Sequence, residues 1–126
     1  MIAAFERDGF VAGTGALAAA EVADYRAALM ELYATLDPAL QRHFINLHAA
    51  LGWADALGRH ERILHAVAAL LGPDLLLWKS KAFVKFPGPA HVAWHQDAPH
   101  WNLVPAETVT PWVALSDVTE ETAACG

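Results

Sequence analysis

The hydrophobic pattern of the chain changes its period once, at Gly72-Pro73. Before this point apolar residues recur at three- and four-residue steps, which is the spacing of one helix face. After it apolar and polar residues alternate, which is the spacing of a strand with one buried face. Helices followed by strands in 126 residues favour one α+β domain, with the helices on one side of an antiparallel sheet. We therefore predict a mainly helical part, residues 1–72, and a strand-forming part, residues 73–126.

Two helices are predicted in the first part. The longer one covers residues 17–36 and should end at Asp37-Pro38, because proline cannot continue the helical hydrogen-bond pattern. The other runs from about Glu61 to Leu71, with Gly72 as a left-handed stop. The stretch 39–57 between them is less regular and is also predicted to be helical. The side of the second helix that we expect to be buried carries Ile63, Leu64, Val67, Leu70 and Leu71.

Strands are predicted around residues 10–12, 76–86 and 109–115. The middle one has a clear two-residue alternation and should end at Pro87-Gly88-Pro89, since proline cannot donate to a sheet. One face of this strand would carry Leu76, Trp78, Ser80, Ala82, Val84 and Phe86, and the other Lys79, Lys81 and Lys85.

The composition limits the classes of protein to which the chain can belong. Apolar residues make up 56% of the sequence and charged residues 17%, which is typical of a folded chain rather than a disordered one. The net charge is −6 and no cluster of lysine and arginine is present, so we expect no nucleic-acid partner. No apolar run reaches the length of a membrane span, and Met1 does not lead into a signal peptide. Together with the single cysteine, Cys125, these features predict a cytoplasmic protein without a membrane partner.

The segment Trp94-His95-Gln96-Asp97 is the part of the sequence with the clearest chemistry. In an extended backbone, residues two apart project to the same side, so the side chains of His95 and Asp97 can converge on one point. An imidazole nitrogen and a carboxylate oxygen are two of the three ligands of the 2-His-1-carboxylate metal site. The triplet His-x-Asp is common by chance, and a polar strand end is the alternative interpretation.

The segments around this motif resemble the phytanoyl-CoA dioxygenase family. The similarity covers about half of the chain almost continuously and extends to its opening segment, Phe5 to Phe10, followed by a long helix. The matching segments after the change of period are Gly72 to Trp78, Phe83 to Gly88, Trp94 to Trp101 and Pro105 to Leu115.

This resemblance implies a double-stranded β-helix of the jelly-roll, cupin-like type, an iron(II) centre and 2-oxoglutarate as cosubstrate. Carried over residue by residue, it makes His95 and Asp97 the first two metal ligands. Trp112 matches a tryptophan that lines the cosubstrate pocket in the family. Ser80 or Lys81 falls near a strand position that contacts the cosubstrate. The alternatives are an ordinary core aromatic for Trp112 and a solvated lysine for Lys81. His100 stands where the family commonly has an aromatic residue such as tyrosine, and His100 and Trp101 are the weaker candidates for substrate contacts.

The chain departs from the family pattern near its end. The resemblance implies a distal histidine as third metal ligand and an arginine that pairs with 2-oxoglutarate, and both would lie beyond Gly126. We therefore expect an N-terminal portion, residues 1–126, of one such domain, with an incomplete β-helix that stops after the first core strands and with little turnover of its own. His91 or His100 could replace the third ligand only if its loop folded back on His95.

The function predicted from the sequence is the oxidation of a small-molecule substrate by an iron(II)- and 2-oxoglutarate-dependent dioxygenase. Two alternatives remain open at this point. One is a shortened, non-catalytic relative that acts as a binding module, and the other is a cupin-type metal enzyme that does not use 2-oxoglutarate. The sequence does not distinguish among substrates or oligomeric states.

Overall fold

The computed structural model describes residues 1–13, 15–37, 40–41, 45–85, 95, 97–105 and 107–119. Five α-helices lie in these residues: α1 Ile2–Asp8, α2 Ala19–Thr35, α3 Leu47–Ala50, α4 Gly52–Gly58 and α5 Glu61–Leu71. A 3-10 turn, Ala98–His100, follows in the second part of the chain. The described structure is therefore helical as far as Leu71 and irregular beyond it, apart from that turn.

Helix α2 confirms the longer predicted helix. It ends at Thr35, and Leu36 follows with an extended backbone. At its start, Glu21 Oε2 accepts a hydrogen bond of 2.7 Å from the backbone N–H of Ala18, which satisfies one of the amide groups that a helix start leaves without a partner. Pro38, the predicted helix stop, lies outside the described residues.

Helix α5 confirms the second predicted helix with the bounds expected from the sequence. Gly72 ends it with a φ of 89° and a ψ of 176°. The positive φ is the conformation that favours glycine, but the ψ is not that of the left-handed helical region predicted for this residue. The stretch 39–57 is helical in part, because α3 and most of α4 lie in it.

The buried core of the described residues is formed by side chains from four helices. Its members are Leu29 and Tyr33 in α2, Leu47 in α3, Ala54 in α4 and Ile63 in α5. On α5 the prediction of the buried face was right for Ile63, which is 7% exposed, and wrong for Leu64 and Leu71, which are each 38% exposed. The core therefore lies between the helices rather than between helices and a sheet.

The prediction of a double-stranded β-helix was wrong. The described residues contain no strand, and their only pairing of the β type is one isolated antiparallel bridge between Ile45 and Lys81. The predicted strands at 10–12 and 109–115 have no sheet partner among the described residues. The segment 76–85 has a partner only at Lys81, through that bridge, while Phe86 and the predicted stop Pro87-Gly88-Pro89 lie outside the described residues. The described residues are therefore α-helical, and not α+β as predicted. The assignment of 1–126 to a single domain stays a prediction.

The physical reason for this correction is that alternation describes one chain segment, whereas a strand exists only with a hydrogen-bonded partner. Without such a partner, the predicted inner face is only partly covered. Leu76 is 82% exposed and Trp78 is 54% exposed, whereas Ser80, Ala82 and Val84 of the same face are half-buried.

Three contacts attach the irregular segment 72–85 to the helices. Tyr33 in α2 has its hydroxyl against the backbone of Val84, and Leu77 packs against Gly58 at the end of α4. Ser80 contacts α3, as described below. Among the described residues no helix is long and apolar enough to cross a membrane.

Candidate metal centre

His95 and Asp97 bring their side chains together in the structure. The distance from His95 Nε2 to Asp97 Oδ1 is 3.3 Å, and the two side chains are 48% and 40% exposed. The two-residue spacing predicted this convergence. Trp94 and Gln96, the other members of the motif, lie outside the described residues. Both side chains are therefore partly accessible to solvent, and their role as a metal-binding pair stays a prediction.

The geometry of this pair fits two neighbouring ligands of one metal ion. Donor atoms in adjacent octahedral positions, each about 2.1 Å from the ion, lie about 3.0 Å apart. The observed 3.3 Å is within a small side-chain adjustment of that distance. One nitrogen and one oxygen donor also suit a first-row divalent metal such as iron(II). The residues present therefore fit the metal that the resemblance implies.

Asp97 is held at both its main chain and its side chain. Its carbonyl oxygen accepts a hydrogen bond of 2.9 Å from the N–H of His100, which closes the 3-10 turn Ala98–His100. Its Oδ2 accepts a hydrogen bond of 3.0 Å from Thr110 Oγ1. The second carboxylate oxygen is thus engaged by Thr110, while Oδ1 faces His95.

The predicted substrate and cosubstrate residues near this pair are on the surface. His100 ends the 3-10 turn and is exposed, and Trp101 follows it half-buried. Trp112 is 62% exposed, so the interpretation of it as a core aromatic was wrong. Two positions before Trp112 lies Thr110, which contacts Asp97. Trp112 is therefore close in sequence to the candidate site and has a free aromatic surface.

Ser80 and Lys81 are engaged with other parts of the chain. Ser80 Oγ accepts a hydrogen bond of 3.2 Å from the N–H of His48 and lies 2.7 Å from His48 Nδ1. The Ser80 carbonyl accepts a third bond, of 2.6 Å, from the N–H of Asn46. Lys81 Nζ lies 4.4 Å from the centroid of the Phe83 ring, a cation–π distance. Their predicted contact with a cosubstrate stays a prediction.

A third protein ligand is not found in the described part of the chain. No group of three histidine, cysteine or acidic side chains among the described residues is arranged to hold a metal ion. His100, one of the two suggested replacements, is described and does not form such a group with His95 and Asp97. His91, the other one, lies outside the described residues.

Neither Thr110 nor His48 was predicted from the sequence to be a site residue, and for His48 a surface or helix-cap position was the expectation. The signal for Thr110 was its position two residues before Trp112, since alternation places both on one side of an extended segment. His48 carried no signal, because its partner Ser80 is 32 residues away and only the tertiary structure brings the two together.

The comparison with known families agrees with the motif. Residues 5–125 match the sequence profile of the family described as phytanoyl-CoA dioxygenase (PhyH). The chain belongs to the phytanoyl-CoA dioxygenase family. Searches of curated proteins and of solved structures gave no significant match. Membership in this family supports an oxidoreductase of the dioxygenase type and the general use of iron and 2-oxoglutarate.

Proposed function

We propose that this member of the phytanoyl-CoA dioxygenase family takes part in the iron(II)- and 2-oxoglutarate-dependent oxidation of a small molecule. The observation that carries the proposal is the pair of His95 Nε2 and Asp97 Oδ1, 3.3 Å apart, inside the matched residues. The family supplies the reaction class, and the pair supplies donor atoms in the geometry that a metal ion needs. When bound, the metal would activate dioxygen, which is the oxidant, for attack on a C–H bond, and 2-oxoglutarate would supply two of the electrons that reduce dioxygen.

The residues of this chain would have three roles in that reaction. His95 and Asp97 would hold the metal, with the imidazole neutral and the carboxylate ionised, because only those forms donate electron pairs. Trp112, with its exposed ring, would pack against the cosubstrate, and Ser80 or Lys81 would contact it by a hydrogen bond or a charge. His100 and Trp101, next to Asp97 in sequence, would face the substrate.

We further propose that the protein acts in the cytoplasm on a small-molecule substrate, without a nucleic-acid partner. The low lysine and arginine content, the net charge of −6 and the single cysteine support this setting.

A metal titration tests the proposal directly. Co(II), added as a spectroscopic substitute for iron(II), should bind with a visible absorption band that is lost in His95→Ala and in Asp97→Ala. The matched controls are His65→Ala and Asp74→Ala, which remove the same side-chain types from exposed positions elsewhere. Equal Co(II) binding in all four variants would show that the pair is not a metal site.

The use of 2-oxoglutarate is tested by adding it to the Co(II)-loaded protein. We expect the absorption band to shift, because a chelating 2-oxoacid replaces water on the metal, and we expect Trp112→Ala to weaken that shift. Metal binding that depends on His95 but does not respond to 2-oxoglutarate would instead favour the cupin-type alternative.

A further inference from the structure

We propose that Thr110 is a positioning residue, which holds the carboxylate of Asp97 so that Oδ1 is presented to the metal beside His95. This inference rests on the proposed function of His95 and Asp97. Its basis is that the two carboxylate oxygens of Asp97 make different contacts. Oδ1 lies 3.3 Å from His95 Nε2, whereas Oδ2 accepts the hydrogen bond of 3.0 Å from Thr110 Oγ1.

The main chain of Asp97 does not by itself orient the carboxylate. The hydrogen bond of 2.9 Å from the N–H of His100 to the carbonyl of Asp97 holds the backbone at the start of the 3-10 turn. The last side-chain torsion of aspartate has a broad distribution of angles, so the carboxylate can still rotate when the backbone is fixed. A hydrogen bond to one oxygen is what restricts this torsion. Two of the described contacts reach the carboxylate oxygens, from His95 at Oδ1 and from Thr110 at Oδ2, and only the one from Thr110 would remain when a metal takes its place between His95 and Oδ1.

Restriction of the carboxylate torsion is important because the Asp97 side chain is partly exposed to water. Asp97 is 40% exposed, so water competes for both of its oxygens. A carboxylate that rotates freely must be ordered when the metal binds, and the loss of rotational freedom weakens binding. A carboxylate already fixed by Thr110 avoids most of that loss. Metal-ligating carboxylates are in general held by such outer hydrogen bonds, and removal of one typically lowers metal affinity by about 10- to 100-fold.

Threonine is chemically suited to this role. Its hydroxyl is a neutral donor, so it orients the carboxylate without cancelling the negative charge that attracts a cation. Its branched β-carbon restricts its own first torsion, which gives the donor a defined direction. A lysine or arginine at position 110 would also donate, but it would compete with the metal for the same charge.

The test is a titration of the 126-residue chain with Co(II) alone, comparing Thr110→Val, Thr110→Ser and the unchanged protein. Valine keeps the branched shape and removes the donor, while serine keeps the donor. We expect Thr110→Val to raise the Co(II) dissociation constant about 10-fold and Thr110→Ser to stay within about 2-fold of the unchanged protein. A second readout is the paramagnetic broadening of the His95 imidazole signals in the NMR spectrum. This broadening should require about 10-fold more Co(II) in Thr110→Val.

Thr110 is exposed, so neither variant should unfold the chain, and circular dichroism of each variant checks that they do not. An unchanged Co(II) affinity in Thr110→Val, while His95→Ala and Asp97→Ala still lose the metal, would overturn the positioning role and leave the proposed function standing. A loss in Thr110→Ser as large as in Thr110→Val would also overturn it, because the hydroxyl would not be the cause. Co(II) binding that survives His95→Ala and Asp97→Ala would overturn both the proposed function and this inference.

Discussion

Glu21 and His60 join the start of α2 to the start of α5, with 3.1 Å between Glu21 Oε1 and His60 Nε2. The same carboxylate accepts the backbone N–H of Ala18 through its other oxygen. The Glu21 side chain therefore caps the start of α2 and also contacts His60, the residue that precedes α5.

We expect Glu21→Gln to lower the free energy of unfolding and to change its dependence on pH. The backbone N–H of Ala18, followed by His60, holds the pKa of Glu21 below its ordinary value of 4.5. A lowered pKa in the folded state means that this contribution is present above the ordinary pKa and is lost as the pH falls through the folded-state value. Urea unfolding between about pH 3 and pH 7 should show this loss in the unchanged protein and a smaller one in Glu21→Gln. Glu31→Gln, an exposed change on the same helix, is the control and should behave like the unchanged protein.

Tyr33→Phe should destabilise the protein by about 0.5 to 1.5 kcal/mol, because it removes one buried hydroxyl. That hydroxyl donates to the carbonyl of Gln41 over 3.2 Å and contacts the backbone of Val84. Burial raises the pKa of Tyr33 above its ordinary value of 10.0, and the backbone of Val84 opposes that shift. Its contribution to stability is therefore full below pH 10.0 and declines as the pH rises through the folded-state value, and Tyr33→Phe should abolish this decline. Tyr25→Phe in the same helix is the control, and an equal effect of both changes would contradict the assignment.

The contact between His48 and Ser80 should be measurable as a coupling energy. Ser80 Oγ lies 2.7 Å from His48 Nδ1 and accepts the His48 N–H, and both residues are half-buried. We expect a double-mutant cycle of His48→Ala and Ser80→Ala to give a coupling of about 0.5 to 1.5 kcal/mol. A coupling near zero in denaturant unfolding would mean that α3 and the segment 72–85 are not linked through this pair.

Two neighbouring residues of α5 should respond very differently to truncation. Ile63 is 7% exposed and Leu64 is 38% exposed, although the sequence pattern placed both on the buried face. Ile63→Ala should lower the free energy of unfolding by about 2 to 5 kcal/mol, because it leaves a cavity in the core. Leu64→Ala removes a partly exposed side chain and should cost less than about 1 kcal/mol. Thermal unfolding of the two variants distinguishes this arrangement from the one expected from the sequence.

The apolar side chains of the segment 76–83 should bind a hydrophobic dye. Leu76 is 82% exposed and Trp78 is 54% exposed, and clustered apolar surface of this kind is unusual on a stable monomer. We expect Leu76→Ser combined with Trp78→Ser to reduce the fluorescence of 8-anilinonaphthalene-1-sulfonate without lowering the unfolding midpoint. A large fall in that midpoint would show that these side chains are buried in solution.

The candidate site could be predicted in part from the sequence. The convergence of His95 and Asp97 was predicted from their two-residue spacing, and the structure brings the two side chains to 3.3 Å. The contact of Thr110 with Asp97 crosses 13 residues, and that of His48 with Ser80 crosses 32. Which segments meet over such separations depends on how the helices pack, and no local pattern contains that information.

The sequence by itself determined α2 and α5, because helical periodicity, proline and glycine act within one or two turns of the chain. It also determined the family, through residues distributed over 5–125. Only the tertiary structure decided that Ile63 is buried and Leu64 is not, and that the alternating segment 76–85 pairs with the rest of the described chain at one bridge, Ile45 with Lys81. A helix makes its hydrogen bonds within its own segment, whereas a strand must receive them from another one. Helices can therefore be predicted from local sequence, while strands depend on the arrangement of the whole chain.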